Sequence, residues 1–240
     1  MKIDIIGKGN LGSHLLKMLA KGNDVRSVDS RLLSDVSHDA DLYILCVSDK
    51  AIAQVGEKVS KLIGTESVLV HTSGAVSISA LENMHPHIGV FYPLQTFSKD
   101  SKIEYSKIPL FLEANDDLSK SILASLTENL GNTYQFISSE NRGDIHIASV
   151  IANNFVNHLW TLADEYLSMK GLNFKCLLPL IKETCSKVER MSPENAQTGP
   201  ACRMDENTLE QHRRSLENFP EISQIYDIIT ESIIRRNNIK

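Results

Sequence analysis

The chain has 240 residues, of which 42% are hydrophobic and 23% are charged. These values are typical of a globular protein that buries a sizeable core. The formal net charge of −5 argues against binding to nucleic acid or to an anionic membrane surface, because both need a basic footprint.

Neither the cysteines nor the N-terminus indicates an oxidising or membrane environment. The sequence has no run of about 18 apolar residues, and its first segment is strand-like, not a basic region followed by a long apolar stretch. No C-x-x-C pair and no zinc-type spacing with histidine occurs, so neither disulfides nor a metal site is indicated. We therefore expect a cytoplasmic protein with reduced thiols. The four cysteines are Cys46, Cys176, Cys185 and Cys202.

The segment MKIDIIGKGNLG at the N-terminus predicts a dinucleotide-binding turn. It is a strand that ends in G-x-G-x-x-G and continues into a helix with apolar residues at helical spacing. Gly7 permits the tight turn, Gly9 lets the backbone approach a pyrophosphate, and Gly12 lets the helix pack on the strand. A glycine-rich turn without a ligand is the alternative. The predicted phosphate-binding residues are Gly7, Gly9, Asn10, Leu11 and Gly12.

Strands and helices alternate through the first half of the chain. Such alternation predicts βαβ units and a doubly wound, mostly parallel sheet of the Rossmann type. Strands are expected after the first helix at 25–28, 42–47, 68–70, 89–91, 109–112 and 134–137, with a helix at 118–130.

The second half of the chain has helical periodicity and few strand signals. The pattern predicts helices at 144–167, 174–190, 206–216 and 222–236. An irregular loop at 192–205 separates the second from the third, because Pro193, Gly199 and Pro200 disfavour helix. We therefore predict a dinucleotide-binding domain over 1–139 and an all-α domain over 140–240.

The end of the predicted strand 25–28 bears on which dinucleotide binds. An acidic residue about 20 positions after the glycine motif accepts the ribose hydroxyls of NAD, whereas an arginine accommodates the 2′-phosphate of NADP. Asp29 stands at the acidic position, but Ser30 and Arg31 follow it and suit a phosphate. The alternative is that Asp29 caps a turn and Arg31 is a surface residue. The sequence favours NADP, with NAD as the alternative.

A polar stripe is predicted on the long, mostly apolar helix 144–167. At 100° per residue, His146, Asn153 and Asn157 fall within about 40° of one another, with Asn154 beside them. If this helix is buried, the amides need a polar network, trapped water or a ligand as hydrogen-bond partners. The alternative is that the asparagines tie the helix to neighbouring backbone.

Five segments together resemble a known protein family. These are the glycine-rich start, HTSG at 71–74 with YPLQTF at 92–97, HIASVIANNFVNH at 146–158, and AQTGPACRMD at 196–205. They are similar to Rossmann-like NADP oxidoreductases with a C-terminal helical domain of unknown function. That family belongs to the 6-phosphogluconate-dehydrogenase-like superfamily, with ketopantoate reductase, pyrroline-5-carboxylate reductase and deazaflavin-dependent NADP reductases as relatives.

The resemblance implies where cofactor and substrate bind. A dinucleotide would cross the C-terminal ends of the strands, with its nicotinamide in a cleft between the domains. The cofactor residues implied, besides the glycine turn, Ser30 and Arg31, are Val47, Ser48 and Ser73. Gln95 and Thr96 would lie on the substrate side, close to the nicotinamide. The residues that would close the substrate side are Asn154, Asn157, Thr198, Gly199, Arg203 and Asp205. A homodimer through the helical domain is implied as well.

One departure from the superfamily limits the reaction. Its β-hydroxyacid dehydrogenases place a catalytic lysine three residues before an Asn-Asn pair, where this chain has Val150 before Asn153 and Asn154. Oxidation of an alcohol needs a base, and valine is not one. We therefore predict hydride transfer involving a small anionic carbonyl or imine, with Asn154, Asn157 and His146 as the catalytic set and Arg203 as a carboxylate anchor. A non-catalytic dinucleotide sensor is the alternative.

Three further histidines are weaker candidates. His71 follows a predicted strand at the edge where α/β sheets collect ligands, and His85 and His87 flank Pro86. Each could act as an acid or base, because the imidazole pKa lies near neutrality.

Overall fold

The computed structural model describes residues 1–237, and its first compact unit, Met1–Ala152, is built on one seven-stranded sheet. The strands run in the order β2-β1-β3-β4-β5-β6-β7. All neighbours are parallel except β5 and β6. The predicted α/β fold class is therefore confirmed. The strands are β1 (Lys2–Ile6), β2 (Asp24–Val28), β3 (Leu42–Leu45), β4 (Val68–His71), β5 (Ile88–Pro93), β6 (Leu110–Ala114) and β7 (Tyr134–Phe136).

Helices cover both faces of this sheet. Helices α1 (Asn10–Leu19) and α3 (Asp117–Leu130) bury apolar side chains on one face, and α2 (Ile52–Ser60) does so on the other. The central strands β1, β3 and β4 are apolar runs because both their faces are covered. Strand order reverses at β1, which has β2 on one side and β3 on the other. In such sheets a crevice for ligands opens at the carboxyl ends of the strands beside this switch point.

Helix α4 (Ser139–Ser149) belongs to the first unit, which extends past the predicted boundary at residue 139. The physical reason is Arg142, whose side chain is fully buried. Its guanidinium pairs with the Glu113 carboxylate of β6 and donates to the carbonyl oxygens of Ser73, at 3.2 Å, and Val76, at 2.5 Å. One side chain therefore ties α4 both to the sheet and to the turn after β4.

His71, the last residue of β4, also stabilises the turn after β4. Its Nδ1 accepts from the Ser73 backbone N–H at 3.2 Å, and its Nε2 lies 3.3 Å from the Ser77 carbonyl oxygen. Burial, reinforced by the nearby positive charge of Arg142, lowers the pKa of His71 to about 4. The imidazole is therefore neutral at physiological pH.

The second unit begins at Asn153 and is helical. A π-helical turn, Val150–Phe155, precedes α5 (Val156–Met169) and corrects the prediction of one uninterrupted α-helix over 144–167. A short helix α7 (Pro193–Ala196) also corrects the prediction that 192–205 is irregular, because proline is favourable in a first helical turn. The others are α6 (Leu178–Arg190), α8 (Glu206–Ser215) and α9 (Pro220–Asn237).

Among the described residues, no helix is both long enough and apolar enough to cross a bilayer. The cytoplasmic location stays a prediction.

Replacing Arg142 by methionine is expected to destabilise the first unit by about 3–5 kcal/mol, because the largely buried Glu113 carboxylate would lose its cationic partner and keep only the hydrogen bonds from Ser139. Urea unfolding followed by hydrogen exchange of the strand peptides measures this. Lys61→Met, which removes the exposed Lys61–Glu57 pair on α2, is the matched control and should change little. Equal effects of the two substitutions would show that the Arg142 pair does not anchor α4.

Acid is expected to destabilise the wild-type protein more than it destabilises the His71→Asn variant. Protonation of His71 favours the unfolded chain, because its pKa rises from about 4 when folded to about 6.5 when unfolded. The stabilising contribution is thus complete above pH 6.5 and is lost as the pH falls towards 4. Between pH 7 and 4.5 the wild type should lose about 2.5 kcal/mol more than the variant in urea titrations. Parallel pH curves would contradict the neutral, buried histidine.

Candidate dinucleotide site

The glycine turn after β1 is shaped by contacts within the protein at two of its three glycines. Gly7 has a φ of +129°, and a Cβ there would lie 2.2 Å from the Cys46 carbonyl oxygen. A Cβ on Gly12 would lie 2.0 Å from the Gly7 carbonyl oxygen. Neither position accepts a side chain, since both distances are far below a van der Waals contact.

Gly9 differs from the other two. It is exposed, its φ of −73° is open to any residue, and a Cβ built there meets no protein atom within 4 Å. The protein's own packing therefore does not require glycine at this position. The bare backbone leaves room for a group from outside the chain.

Helix α1 starts directly after this turn. Gly9 is its N-cap, no side chain caps it, and its first turn contains no acidic residue. The first N–H groups of a helix, here those of Asn10, Leu11 and Gly12, have no intrahelical partner and suit an anion. The Asn10 side chain itself donates to the Phe97 carbonyl oxygen at 3.3 Å, so the backbone of Asn10 is the part left for a phosphate.

Asp29 stabilises the turn that follows β2. The Asp29 carboxylate accepts from the Arg31 backbone N–H at 2.9 Å, as in the turn-capping alternative for this residue. Arg31 is exposed and Ser30 is half-buried.

The residues after β3 and β4 lie at the same carboxyl-terminal edge of the sheet. Val47 is half-buried and Ser48 is exposed. Ser73 is buried, and its hydroxyl accepts from the backbone N–H groups of Ala75, at 3.1 Å, and Val76, at 3.0 Å. The Ser73 hydroxyl thus shapes the turn, and its contact with a cofactor stays a prediction.

The carboxyl end of β5 brings together a pair of groups that the sequence did not predict. The hydroxyl of Tyr92 lies 3.1 Å from Nδ1 of His146, which α4 carries one turn after Arg142. Gln95 and Thr96 follow β5 and are exposed, with Gln95 Oε1 accepting from the Thr96 backbone N–H at 2.8 Å. Tyr92 could have been found from its position at the end of a parallel strand.

The other histidine candidates are engaged in packing. His85 is buried, and its Nε2 lies 3.1 Å from the Gly64 carbonyl oxygen. His87 Nδ1 pairs with the Asp116 carboxylate at 2.5 Å. Burial acts to raise the pKa of Asp116, but the hydrogen bonds from the Ser119 backbone and with His87 outweigh it and lower that pKa. Both side chains hold loops together.

The predicted polar stripe does not keep its α-helical spacing. Hydrogen bonds in a π-helical turn span five residues instead of four, so the turn Val150–Phe155 breaks the 100° period between His146 and Asn157. Asn153, Asn154 and Asn157 are exposed, so the condition that the helix is buried is not met at these positions. The roles of Asn154 and Asn157 stay predictions.

The remaining predicted substrate residues lie in the second unit. Thr198 and Gly199 line a cavity of about 550 Å³ whose walls are mainly apolar side chains of α5, α8 and α9. Such a lining does not favour an anionic group, so an anionic substrate would have to bind outside this cavity. Arg203 is exposed, while Asp205 caps α8 by accepting from Thr208. Their roles towards a substrate also stay predictions.

Known proteins share this architecture. A candidate NADP oxidoreductase from Bacteroides fragilis is 34% identical, with a TM-score of 0.90 over 98% of each chain. An imine reductase from Streptomyces aurantiacus is 15% identical, with a TM-score of 0.71 over 98% of this chain and 94% of its own. A pyrroline carboxylate reductase from Plasmodium falciparum, crystallised with NADP bound, is 14% identical, with a TM-score of 0.60 over 99% and 98%. The last two show the fold alone.

No curated protein matches the chain. A family model, however, matches the second half of the chain. Residues 108–233 match the family described as a domain of unknown function, DUF2520. The resemblance predicted from the sequence motifs is thereby confirmed, and the chain belongs to the DUF2520 family.

Proposed function

We propose that this protein binds NADP and takes part in hydride transfer between the nicotinamide and a small anionic carbonyl or imine compound. The observation that carries the proposal is the open space at Gly9. Gly7 and Gly12 are required by the fold, whereas the packing around position 9 does not require glycine and leaves free the space that an approaching phosphate would need.

The residues around Gly9 fit a diphosphate. The start of α1 offers backbone N–H groups and the positive end of the helix dipole, without a competing acidic side chain. The crevice beside the switch point of the sheet lies at the same edge. An elongated dinucleotide crossing this edge would pass the ends of β3, β4 and β5 in turn.

The turn after β2 supports NADP over NAD. One oxygen of the Asp29 carboxylate already accepts a hydrogen bond from the Arg31 backbone N–H. The carboxylate is therefore less available to accept hydrogen bonds from the ribose hydroxyls of NAD. The exposed Arg31 guanidinium and the Ser30 hydroxyl suit the 2′-phosphate of NADP. The similarity to a candidate NADP oxidoreductase supports the same choice.

Bound NADPH supplies hydride to an electrophilic carbon, and the chain has to bind the acceptor and provide a proton. An imine or a polarised carbonyl suits the chain better than an alcohol, because Val150 replaces the lysine base of the β-hydroxyacid dehydrogenases. The fold shared with an imine reductase is compatible with this choice.

We also propose that two copies pair through the second unit. Its helices and connecting segments leave several large apolar side chains more than half exposed: Phe155, Met169, Leu172 and Leu180. Exposed apolar surface of this kind is typical of protein–protein interfaces.

Gly9→Ala is expected to weaken NADP binding at least about tenfold while leaving folding intact. The new methyl group would enter the space proposed for the pyrophosphate but would touch no protein atom. Calorimetric titration with NADP and thermal unfolding measure the two effects. Gly143→Ala in α4 adds the same methyl group at another open position and should leave affinity unchanged. Unaltered affinity of Gly9→Ala would overturn the proposed site.

Arg31→Ala is expected to weaken NADP binding about tenfold to a hundredfold, because it removes a charge-assisted contact with the 2′-phosphate. Affinity for NAD should change less than about twofold by the same reasoning. Calorimetric titrations with both dinucleotides test this, and Lys58→Ala on the exposed face of α2 controls for net charge. Equal weakening of both dinucleotides would contradict a role for Arg31 in recognising the 2′-phosphate.

A further inference from the structure

Tyr92 and His146 form a hydrogen-bonded pair at the carboxyl end of β5. The Tyr92 hydroxyl lies 3.1 Å from His146 Nδ1, and the two rings meet edge to face with centroids 6.1 Å apart. Only 9% of Tyr92 is exposed, whereas His146 is half-buried. The pair thus joins a mostly buried tyrosine to a histidine ring that is partly exposed.

The turn after β4 is built around this pair. A Cβ on Gly74 would lie 2.7 Å from His146 Nδ1 and 2.7 Å from Tyr92 Cζ. Any side chain at position 74 would therefore displace one ring or the other. The bare backbone of Gly74 allows both rings to lie directly against the turn.

The pair lies at the sheet edge that carries the glycine turn. Strands β1, β3, β4 and β5 are mutually parallel neighbours, so their carboxyl ends meet at one edge. The glycine turn follows β1, and Tyr92 is at the end of β5. In a dinucleotide-binding sheet, the strands beyond the switch point serve the second mononucleotide half, which here would be the nicotinamide.

The surroundings keep the proton on Tyr92. Burial raises the pKa of the Tyr92 hydroxyl above its ordinary value, although the neighbouring Ser149 hydroxyl and the charge of Arg142 oppose that rise. Arg142 is itself paired with Glu113. At neutral pH the hydroxyl is therefore a proton donor.

His146 has one ring nitrogen available for proton exchange. Its Nδ1 faces Tyr92, and its Nε2 has no hydrogen-bond partner within residues 1–237. With the proton on Nδ1, His146 donates to the Tyr92 oxygen and leaves the Tyr92 O–H free to point at another molecule. A proton lost from Nδ1 can then be replaced at Nε2 from water.

We propose that Tyr92 is the proton donor of the reaction and that His146 reprotonates it; this rests on the proposed function. Hydride from NADPH adds to the imine or carbonyl carbon, the π electron pair moves to the nitrogen or oxygen, and that atom takes the proton of Tyr92. The Tyr92 oxygen then takes the proton of His146 Nδ1, and Nε2 takes one from water. The substrate thus gains a hydride and a proton, and NADPH is oxidised to NADP.

A first experiment needs no substrate. In NMR spectra of protein with ¹⁵N-labelled histidine, NADP is expected to shift the resonances of the His146 ring nitrogens. Tyr92→Phe should change the ratio of the Nδ1–H and Nε2–H tautomers of His146. His14, which pairs with Tyr105 at 2.9 Å in the same unit, is the matched reference. If NADP binds and the His146 signals do not move, the pair lies away from the nicotinamide and the proposal is overturned.

A second experiment measures turnover of cyclic imines and 2-keto acids with NADPH. Tyr92→Phe should lower kcat about 10²- to 10⁴-fold and leave the dissociation constant for NADPH and the thermal stability near those of the wild type. His146→Ala should lower kcat too, with part of the loss restored by added imidazole. Tyr105→Phe, which removes the other tyrosine–histidine hydrogen bond of this unit, should have less than about a twofold effect on the same scale.

The outcomes separate the proton donor from the proposed function. Failure of the wild type to bind NADP would contradict the proposed function itself. Binding without turnover of any compound would contradict the hydride-transfer part, and the NMR result would then decide whether the pair meets the cofactor. Full activity of Tyr92→Phe would overturn the assignment of Tyr92. Loss of activity in His146→Ala without rescue by imidazole would overturn the role of His146.

Discussion

The buried Arg142–Glu113 ion pair is the constraint on which the candidate site depends. An unpaired charge in the core is costly, so the guanidinium has to find partners, and it finds the Glu113 carboxylate and the carbonyl oxygens of Ser73 and Val76. These contacts fix α4 against β6 and against the turn after β4. His146 lies one helical turn further along α4, on the same side, so the anchor also sets the position of the ring beside Tyr92.

The glycines around the edge of the sheet serve different purposes, which their surroundings distinguish. Gly7 and Gly12 leave room for protein backbone, and Gly74 leaves room for the rings of Tyr92 and His146. At Gly9, by contrast, no atom of the chain occupies the space that a side chain would fill. Gly9 also stands at the start of a helix whose first turn has no acidic residue. An external anion is best accommodated at such a position.

The first unit was largely predictable because its signals are local. The apolar runs of β1, β3 and β4, the glycine motif and the helical periodicity of α3 each lie within a short stretch of sequence. The pairing of Arg142 with Glu113 and of Tyr92 with His146 joins residues 29 and 54 positions apart, and no local pattern specifies such partners. The exposure of Asn154 and Asn157 could not be predicted for a related reason, since apolar composition does not reveal whether a helix face is covered.

The sequence by itself determined the α/β class, the helical second half, the family, and the turn in which a dinucleotide would bind. These features follow from periodicity and from glycines at fixed spacing, which act over a few residues. Only the tertiary structure decided that Gly9 is the one glycine of the motif with no protein atom near its Cβ position, that α4 belongs to the first unit, that a π-helical turn interrupts the long helix, and that Tyr92 meets His146. Each of these depends on which distant side chains and backbone groups come within a few ångströms, and the burial of Arg142 sets much of that arrangement.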